Sequence, residues 1–183
     1  MILTHGSNSI ERSGYAPSSY VQIGNQLWDT KNLGIELGTE GVNQLTHPWI
    51  EAGKLYTIKC VLENLTTKDG WRVPTNQDFN NLRTNVTSLY GSAYRPLVTT
   101  NSNYANTPGT NESGFNALIC GYAVYNSSEV RNIKASVNFW TSTLVQGSLS
   151  RYYDWCLENG SQFNQLSHNE SDVMLCIRLC KDA

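Results

Sequence analysis

The stretch Gly70-Trp71-Arg72-Val73-Pro74-Thr75 leads directly into the clearest helical pattern of the chain, which runs to Gly91. Thr75 stands at the position of an N-cap, and Asp78 follows three residues later as a variant of the capping box. Gly91 is placed to end the helix, because glycine adopts the left-handed conformation common at helix C-termini. Apolar residues at helical spacing mark one buried face, made of Phe79, Leu82, Val86 and Leu89.

Shorter patterns around this helix predict the other elements. Val21–Trp28 has two alternating runs around Gly24-Asn25, which predicts a β-hairpin. Lys54–Leu65 carries apolar residues at helical spacing and is predicted as a first amphipathic helix. Residues 34–48 and 91–113 are predicted as loops. Strands are predicted at Phe115–Cys120, Val137–Trp140, Tyr152–Leu157 and Val173–Cys180. Two helices followed by several strands predict an α+β fold, with the helices packed on short antiparallel sheets joined by long loops.

The charge pattern excludes several classes of partner. The net charge is −2, and Lys and Arg never cluster, so nucleic-acid binding is not expected. No apolar run approaches the roughly 20 residues that cross a membrane, so membrane insertion is not expected. The start Met1-Ile2-Leu3-Thr4-His5-Gly6 lacks the basic and apolar segments of a secretory signal. Residues 1–20 are polar and aperiodic and are predicted as an N-terminal arm or linker, while residues 21–183 form the domain. Self-assembly into a homo-oligomer through the arm is left open.

The five cysteines do not indicate a metal site. No two of them have CxxC spacing, and the histidines are distant from them in sequence, which argues against zinc. Cys176 and Cys180 are four residues apart on a predicted strand, which separates them by about 13 Å and rules out a disulfide between them. Both are predicted as buried thiols. No cofactor is expected, since no P-loop, dinucleotide motif or Ser-His-Asp order is present.

Six segments, in order, resemble the Fibrobacter succinogenes major paralogous domain family over roughly Val21 to Asp182. Each motif is weak alone, but six in the same order are specific. The segments are Val21–Trp28 with Lys31-Asn32-Leu33, Gly53–Thr57, Gly70–Thr75, Gly114–Leu118 with Gly121-Tyr122, Phe139–Thr143 and Ile177–Asp182.

This resemblance implies a C-type-lectin-like fold, which is shared with formylglycine-generating enzymes. It also implies surface or phage proteins, some of which are diversified by a retroelement that rewrites codons of the final strands at template adenines. The chain departs from the family where Lys68-Asp69 replace Cys-Pro, where Leu179 replaces a cysteine with Cys180 one place later, and where Val173-Met174 replace an aromatic-Gly pair. These departures put the family disulfide in doubt.

The C-terminal third, about residues 144–178, is the predicted variable-type binding region. By the family's alternation, Tyr153, Trp155 and Leu157 point inward and the residues between them point outward. Tyr153 and Trp155 are favoured as core residues, and His168 is either a contact residue or an idle solvated histidine. Trp71 and Trp140 are predicted as core anchors, and Arg178 as the partner of a buried acid. The candidate ligand-binding residues are Gln146, Ser148, Arg151, Tyr152, Asp154, Cys156, Asn159, Gln162, Asn164, His168 and Asn169.

We therefore expect a binding protein and not an enzyme, with a protein or glycan receptor on a cell surface as its partner. A location on a virion, as a phage tail tip, or on a cell surface is favoured. Calcium-dependent sugar binding is disfavoured, because Asp154-Trp155 supplies only one carboxylate of the set that calcium needs. Two alternatives remain: an invariant adhesive or polymer-binding surface module of the same family, and an enzyme derived from the formylglycine-generating branch.

Overall fold

The structure is a computed structural model that describes residues 14–158, 160 and 162–183, and its fold is α+β. In this part of the chain the helices are α1 (Ile58–Asn64), α2 (Asn76–Tyr90) and α3 (Tyr94–Leu97). The strands are β1 (Tyr20–Ile23), β2 (Gln26–Asp29), β3 (Gln44–Thr46), β4 (Lys54–Tyr56), β5 (Tyr122–Val124), β6 (Val130–Arg131), β7 (Ser136–Leu144), β8 (Arg151–Glu158), β9 (Gln162–Asn169), β10 (Val173–Met174) and β11 (Cys180–Asp182). They form the short sheets β1-β2-β11, β10-β5-β6, β3-β4 and β7-β8-β9, all with antiparallel pairing.

The helix predicted after Gly70–Thr75 is confirmed as α2, with both halves of its capping box formed. The Thr75 hydroxyl accepts from the Asp78 amide, and the Asp78 carboxylate accepts from the Thr75 amide at 2.7 Å. Gly91 follows in the left-handed conformation. The predicted buried face is correct except at Leu89, which is 68% exposed because the last turn of the helix extends beyond the core.

The single helix predicted over Lys54–Leu65 is wrong in its first third. Lys54–Tyr56 forms β4, whose Leu55 pairs with Leu45 of β3 inside a segment predicted as loop. Thr57 then caps α1 by accepting from the Cys60 amide. The apolar spacing resembled one helix because two short elements, each with buried residues, meet at this cap.

The hairpin predicted around Gly24-Asn25 is confirmed as β1 and β2, and β11 joins the same sheet beside β2. Most of the predicted arm, residues 1–13, lies outside the described residues. The rest packs on the domain: the Tyr15 amide donates to the Thr66 carbonyl at 2.8 Å, and Tyr20 begins β1.

Two predicted strands are not continuous. Phe115–Cys120 is buried except at Asn116, but it forms only a bridge between Ala117 and Val98, and the strand nearby is β5. Val173–Cys180 is divided between β10, bridges to Tyr56 and Phe139, and the start of β11. This segment runs between several sheets and gives its backbone hydrogen bonds to each in turn, so it cannot stay in one ladder. Within the predicted loop 91–113, α3 is an additional element.

Aromatic side chains fill the centre of the molecule. Phe79 of α2 packs against Trp28, Phe139, Trp155 and Phe163, with ring centroids 5.0 to 6.2 Å apart. The core roles predicted for Trp71, Trp140 and Trp155 are confirmed, since all three are buried. Tyr153 is only half-buried, so its predicted core role is wrong: it lies where the pairing of β8 with β7 shifts register, between Trp140 and Leu144.

The ion pair predicted for Arg178 does not form among the described residues. Its guanidinium is buried and donates to Asn32 Oδ1, to the Asp29 carbonyl and to the Phe115 carbonyl, at 2.6 to 3.1 Å. It also lies 4.5 Å from the centre of the Phe115 ring. Neutral oxygens and an aromatic face therefore hold this cation in place of a carboxylate. The buried thiols predicted at Cys176 and Cys180 are confirmed.

Candidate ligand-binding face

The C-terminal sheet β7-β8-β9 positions most of the predicted binding residues. β8 pairs with β7 so that Asp154 lies opposite Trp140, and with β9 so that Tyr152 lies opposite His168. Successive side chains alternate between the two faces of the sheet. One face, with Phe139, packs into the aromatic core. The other, here called the polar face, carries Ser136, Asn138, Trp140, Tyr152, Asp154, Cys156, Glu158, Asn164, Leu166 and His168.

The expectation that Asp154 and Cys156 face solvent is wrong. Asp154 has no exposed surface, and Cys156 is also buried. The polar face is covered in its middle by β5 and β10, whose Tyr122 and Val173 pack with Trp140 and Tyr152. Sequence alternation identified the residues that share this face but not the second layer of chain above it.

Asp154 is the centre of a buried hydrogen-bond network. Its Oδ2 accepts from the Asn138 amide at 2.8 Å, and its Oδ1 lies 2.9 Å from Nδ1 of His168. In the neutral histidine this contact requires the proton on Nδ1, which leaves Nε2 as an acceptor. The hydrogen bond to Asp154 raises the pKa of His168 above its usual value, although burial opposes the shift. His168 is therefore a positioned side chain, which excludes the idle solvated histidine.

A cleft of about 390 Å³ lies between the polar face and the β5–β10 layer, and we call it the C-terminal cleft. Among the predicted residues only Cys156 and His168 line it. Sequence reasoning missed the other lining residues, which are Tyr122, Val124, Asn132, Ser136, Asn138, Glu158, Leu166, Asp172, Val173 and Leu175. The alternation of side chains along the strands could have predicted two of them. Asn138 is a polar residue within an apolar strand, and Glu158 shares the parity of Cys156.

The remaining candidates are distributed over the ends of the sheet. Gln146 and Ser148 lie in the turn between β7 and β8, where the Ser148 hydroxyl accepts from the Arg151 amide at 2.9 Å. Arg151 donates to Ser167 at 3.1 Å and lies opposite Asn169 on the face away from the cleft. These residues do not join the C-terminal cleft.

At the far end of β8 the backbone of Gln162 lies opposite Glu158, and Asn164 lies opposite Cys156 on the polar face. Asn159 lies outside the described residues. The predicted residues therefore lie in separate places, in the C-terminal cleft, near the turn between β7 and β8, and at the far end of β8. They do not form one continuous patch.

Cys156 and His168 do not form a nucleophile–base pair. His168 lies opposite Tyr152, four residues along β8 from Cys156, which is about 13 Å of strand. Burial, with the carboxylates of Glu158 and Asp154, raises the pKa of the Cys156 thiol to about 12. The thiol is therefore protonated at neutral pH and is a poor nucleophile.

The described part of the chain contains no group of three or more His, Cys, Asp or Glu side chains arranged to hold a metal ion. Among the same residues, no helix has both the length and the apolar character needed to cross a membrane.

Comparisons with known proteins give one positive finding. Neither the curated proteins nor the solved structures gave a match. A family model described as the Fibrobacter succinogenes major domain matches residues 21–181, from the first hairpin to the last strand. The matched residues include every element of the C-terminal sheet and both layers of the C-terminal cleft. The chain therefore belongs to the Fibrobacter succinogenes major domain family.

Proposed function

We propose that this chain is a binding module that recognises a protein or glycan receptor on a cell surface. The observation that carries the proposal is the C-terminal cleft, which combines apolar, amide, imidazole and carboxylate groups in about 390 Å³. Pockets that fix a ligand by a few polar groups within an apolar lining have this character. A large receptor would also contact the rim, where Leu166 is 43% exposed.

The network below the cleft supports a preorganised site. Asn138 and His168 line the cleft, and each makes a hydrogen bond to the buried carboxylate of Asp154, so His168 keeps one orientation before a ligand arrives. A side chain that is already fixed loses little conformational entropy on binding. The turn between β7 and β8 adds a second contact region, in which Leu149 is 95% exposed.

The binding test compares two exposed leucines, Leu166 at 43% and Leu89 at 68%. Leu166→Glu places a charge at the rim of the C-terminal cleft, whereas Leu89→Glu places the same charge on α2. Fluorescently labelled protein is applied to intact bacterial cells and to a glycan array. We expect Leu166→Glu to weaken binding by roughly tenfold or more. The new carboxylate would lose bound water when the receptor covers the rim, and this desolvation costs free energy. Leu89→Glu should bind as the unmodified chain does. Equal binding of the two variants, at unchanged melting temperature, contradicts the proposal.

We further propose that residues 144–178 are diversified in the manner of retroelement-variable proteins, on a virion or cell surface. The fold restricts where such variation is tolerable. Gln146, Leu149 and Gln165 can change without disturbing the core, whereas Asp154 and Trp155 cannot because both are buried. Population sequencing of the gene should therefore show adenine-derived substitutions at exposed positions of this region only. If the region is as uniform as Gly70–Thr75, the domain is an invariant surface module.

A further inference from the structure

A second cleft lies away from the C-terminal sheet and shares no lining residue with the C-terminal cleft. Its volume is about 500 Å³, and we call it the loop cleft. It forms where residues 30–34 after β2, the 3₁₀ turn Ile50–Ala52 and the long segment 99–118 meet. This volume lies in the range of small-ligand sites and accommodates one or two sugar rings.

The lining of the loop cleft favours an anion. Arg178 lies at its buried side and Lys31 at its exposed rim, against one carboxylate, that of Glu51. Four of the five guanidinium N–H groups of Arg178 donate to neutral oxygens, and the fifth, on Nη2, donates to none of the described residues. Lys31 forms no ion pair among the same residues. A carboxylate is the acceptor that would complete a guanidinium held in this way.

The neutral part of the lining has the groups that recognise a sugar ring. Tyr104 contributes an aromatic side chain to the lining, and it packs edge-to-face with Trp49, with ring centroids 5.0 Å apart. The Asn116 side-chain amide makes no hydrogen bond within the described residues, although its backbone is held by Asn111 at 2.8 Å. An unused amide can both donate to and accept from neighbouring hydroxyls. The ring of Tyr104 offers apolar surface to the C–H face of a sugar.

We propose that the loop cleft binds an acidic saccharide, with its carboxylate at Arg178 Nη2 and Lys31. Its ring lies against Tyr104, and its hydroxyls bond to Asn116 and to the exposed Asn101. This site is distinct from the receptor-binding face and would let one domain engage a polyanionic glycan while the C-terminal cleft engages its receptor.

The test is an NMR titration of the full chain with digalacturonate, and with digalactose as its uncharged counterpart. Amide signals of Gly34 and Gly53, which line the loop cleft, should shift with digalacturonate and scarcely with digalactose. Lys31→Gln and Tyr104→Ala should each weaken binding by roughly fivefold or more, about 1 kcal/mol. Lys68→Gln removes another exposed cation, one that lies outside the cleft, and should change nothing. Added salt should weaken binding, because Lys31 is exposed to solvent.

Three results would overturn the proposal: no shift at Gly34 and Gly53, equal affinity for the neutral disaccharide, or shifts confined to Val124 and Leu166 of the C-terminal cleft. Tyr104→Ala removes part of a packed aromatic pair, so its melting temperature is measured alongside. Lys31→Gln keeps the test decisive if Tyr104→Ala is destabilised. Leu166→Glu should bind digalacturonate like the unmodified chain, which separates failure of this site from failure of the receptor-binding proposal.

Discussion

Gly121→Ala is expected to lower the free energy of unfolding by about 4 kcal/mol, whereas Gly91→Ala should cost about 1 kcal/mol. Both glycines have positive φ, 77° at Gly121 and 73° at Gly91, so alanine is strained at either position. They differ in their surroundings. A Cβ at Gly91 meets nothing within 4 Å, but a Cβ at Gly121 would lie 2.0 Å from the carbonyl oxygen of Arg131. The matched pair therefore separates backbone strain from steric overlap.

The overlap at Gly121 cannot be relieved by a side-chain rotation, because the obstructing atoms belong to the backbone. Gly121 donates its amide to the Ser136 carbonyl at 2.7 Å and pairs with Val137, which fixes it beside the chain that follows β6. Urea denaturation of both variants measures the two costs. Nearly equal losses of stability would show that the segment 131–133 moves aside easily and that only the φ angle matters.

Local signals in the sequence predicted α2 and the first hairpin correctly. A capping box, a 3.6-residue period and a Gly-Asn turn each involve residues only a few positions apart. The interactions that form these elements are equally local, so a short stretch of sequence is enough to predict them. The helix predicted over Lys54–Leu65 was wrong because the contact that decides its structure is not local. Its helical spacing arose from two elements on either side of Thr57, and the partner that makes Lys54–Tyr56 a strand is the distant Gln44–Thr46.

Of the predicted binding residues, Cys156 and His168 line the C-terminal cleft, and the geometry of this cleft could not be predicted from the sequence. Alternation along Arg151–Glu158 correctly grouped Tyr152, Asp154 and Cys156 on one face. Whether that face meets solvent depends on β5 and β10, which no pattern within β8 reveals. The loop cleft was not predicted, because its lining comes from four segments, one of them Arg178, that are widely separated in sequence.

Arg178→Met is the second substitution with a large expected effect, a loss of about 4 kcal/mol in the free energy of unfolding. Methionine replaces the apolar stem of arginine but leaves Asn32 Oδ1 and the carbonyls of Asp29 and Phe115 buried without the guanidinium donor. Each orphaned buried acceptor costs roughly 1 to 3 kcal/mol. One gain offsets part of this loss. Burial lowers the pKa of Arg178 to about 10, which records a desolvation cost that the apolar side chain does not have.

The balance of these terms decides the result, because replacing a buried charge by an apolar residue is sometimes neutral. Here the partners are neutral acceptors that stay in place, so the orphaned oxygens outweigh the relieved desolvation. Arg151→Met is the matched control, since Arg151 is exposed and its bonds to Ser167 can be replaced by water. We expect that control to change stability by no more than about 0.5 kcal/mol in the same urea denaturation. A stable Arg178→Met variant would mean that the desolvation cost of burying the guanidinium is as large as the stabilisation from its hydrogen bonds.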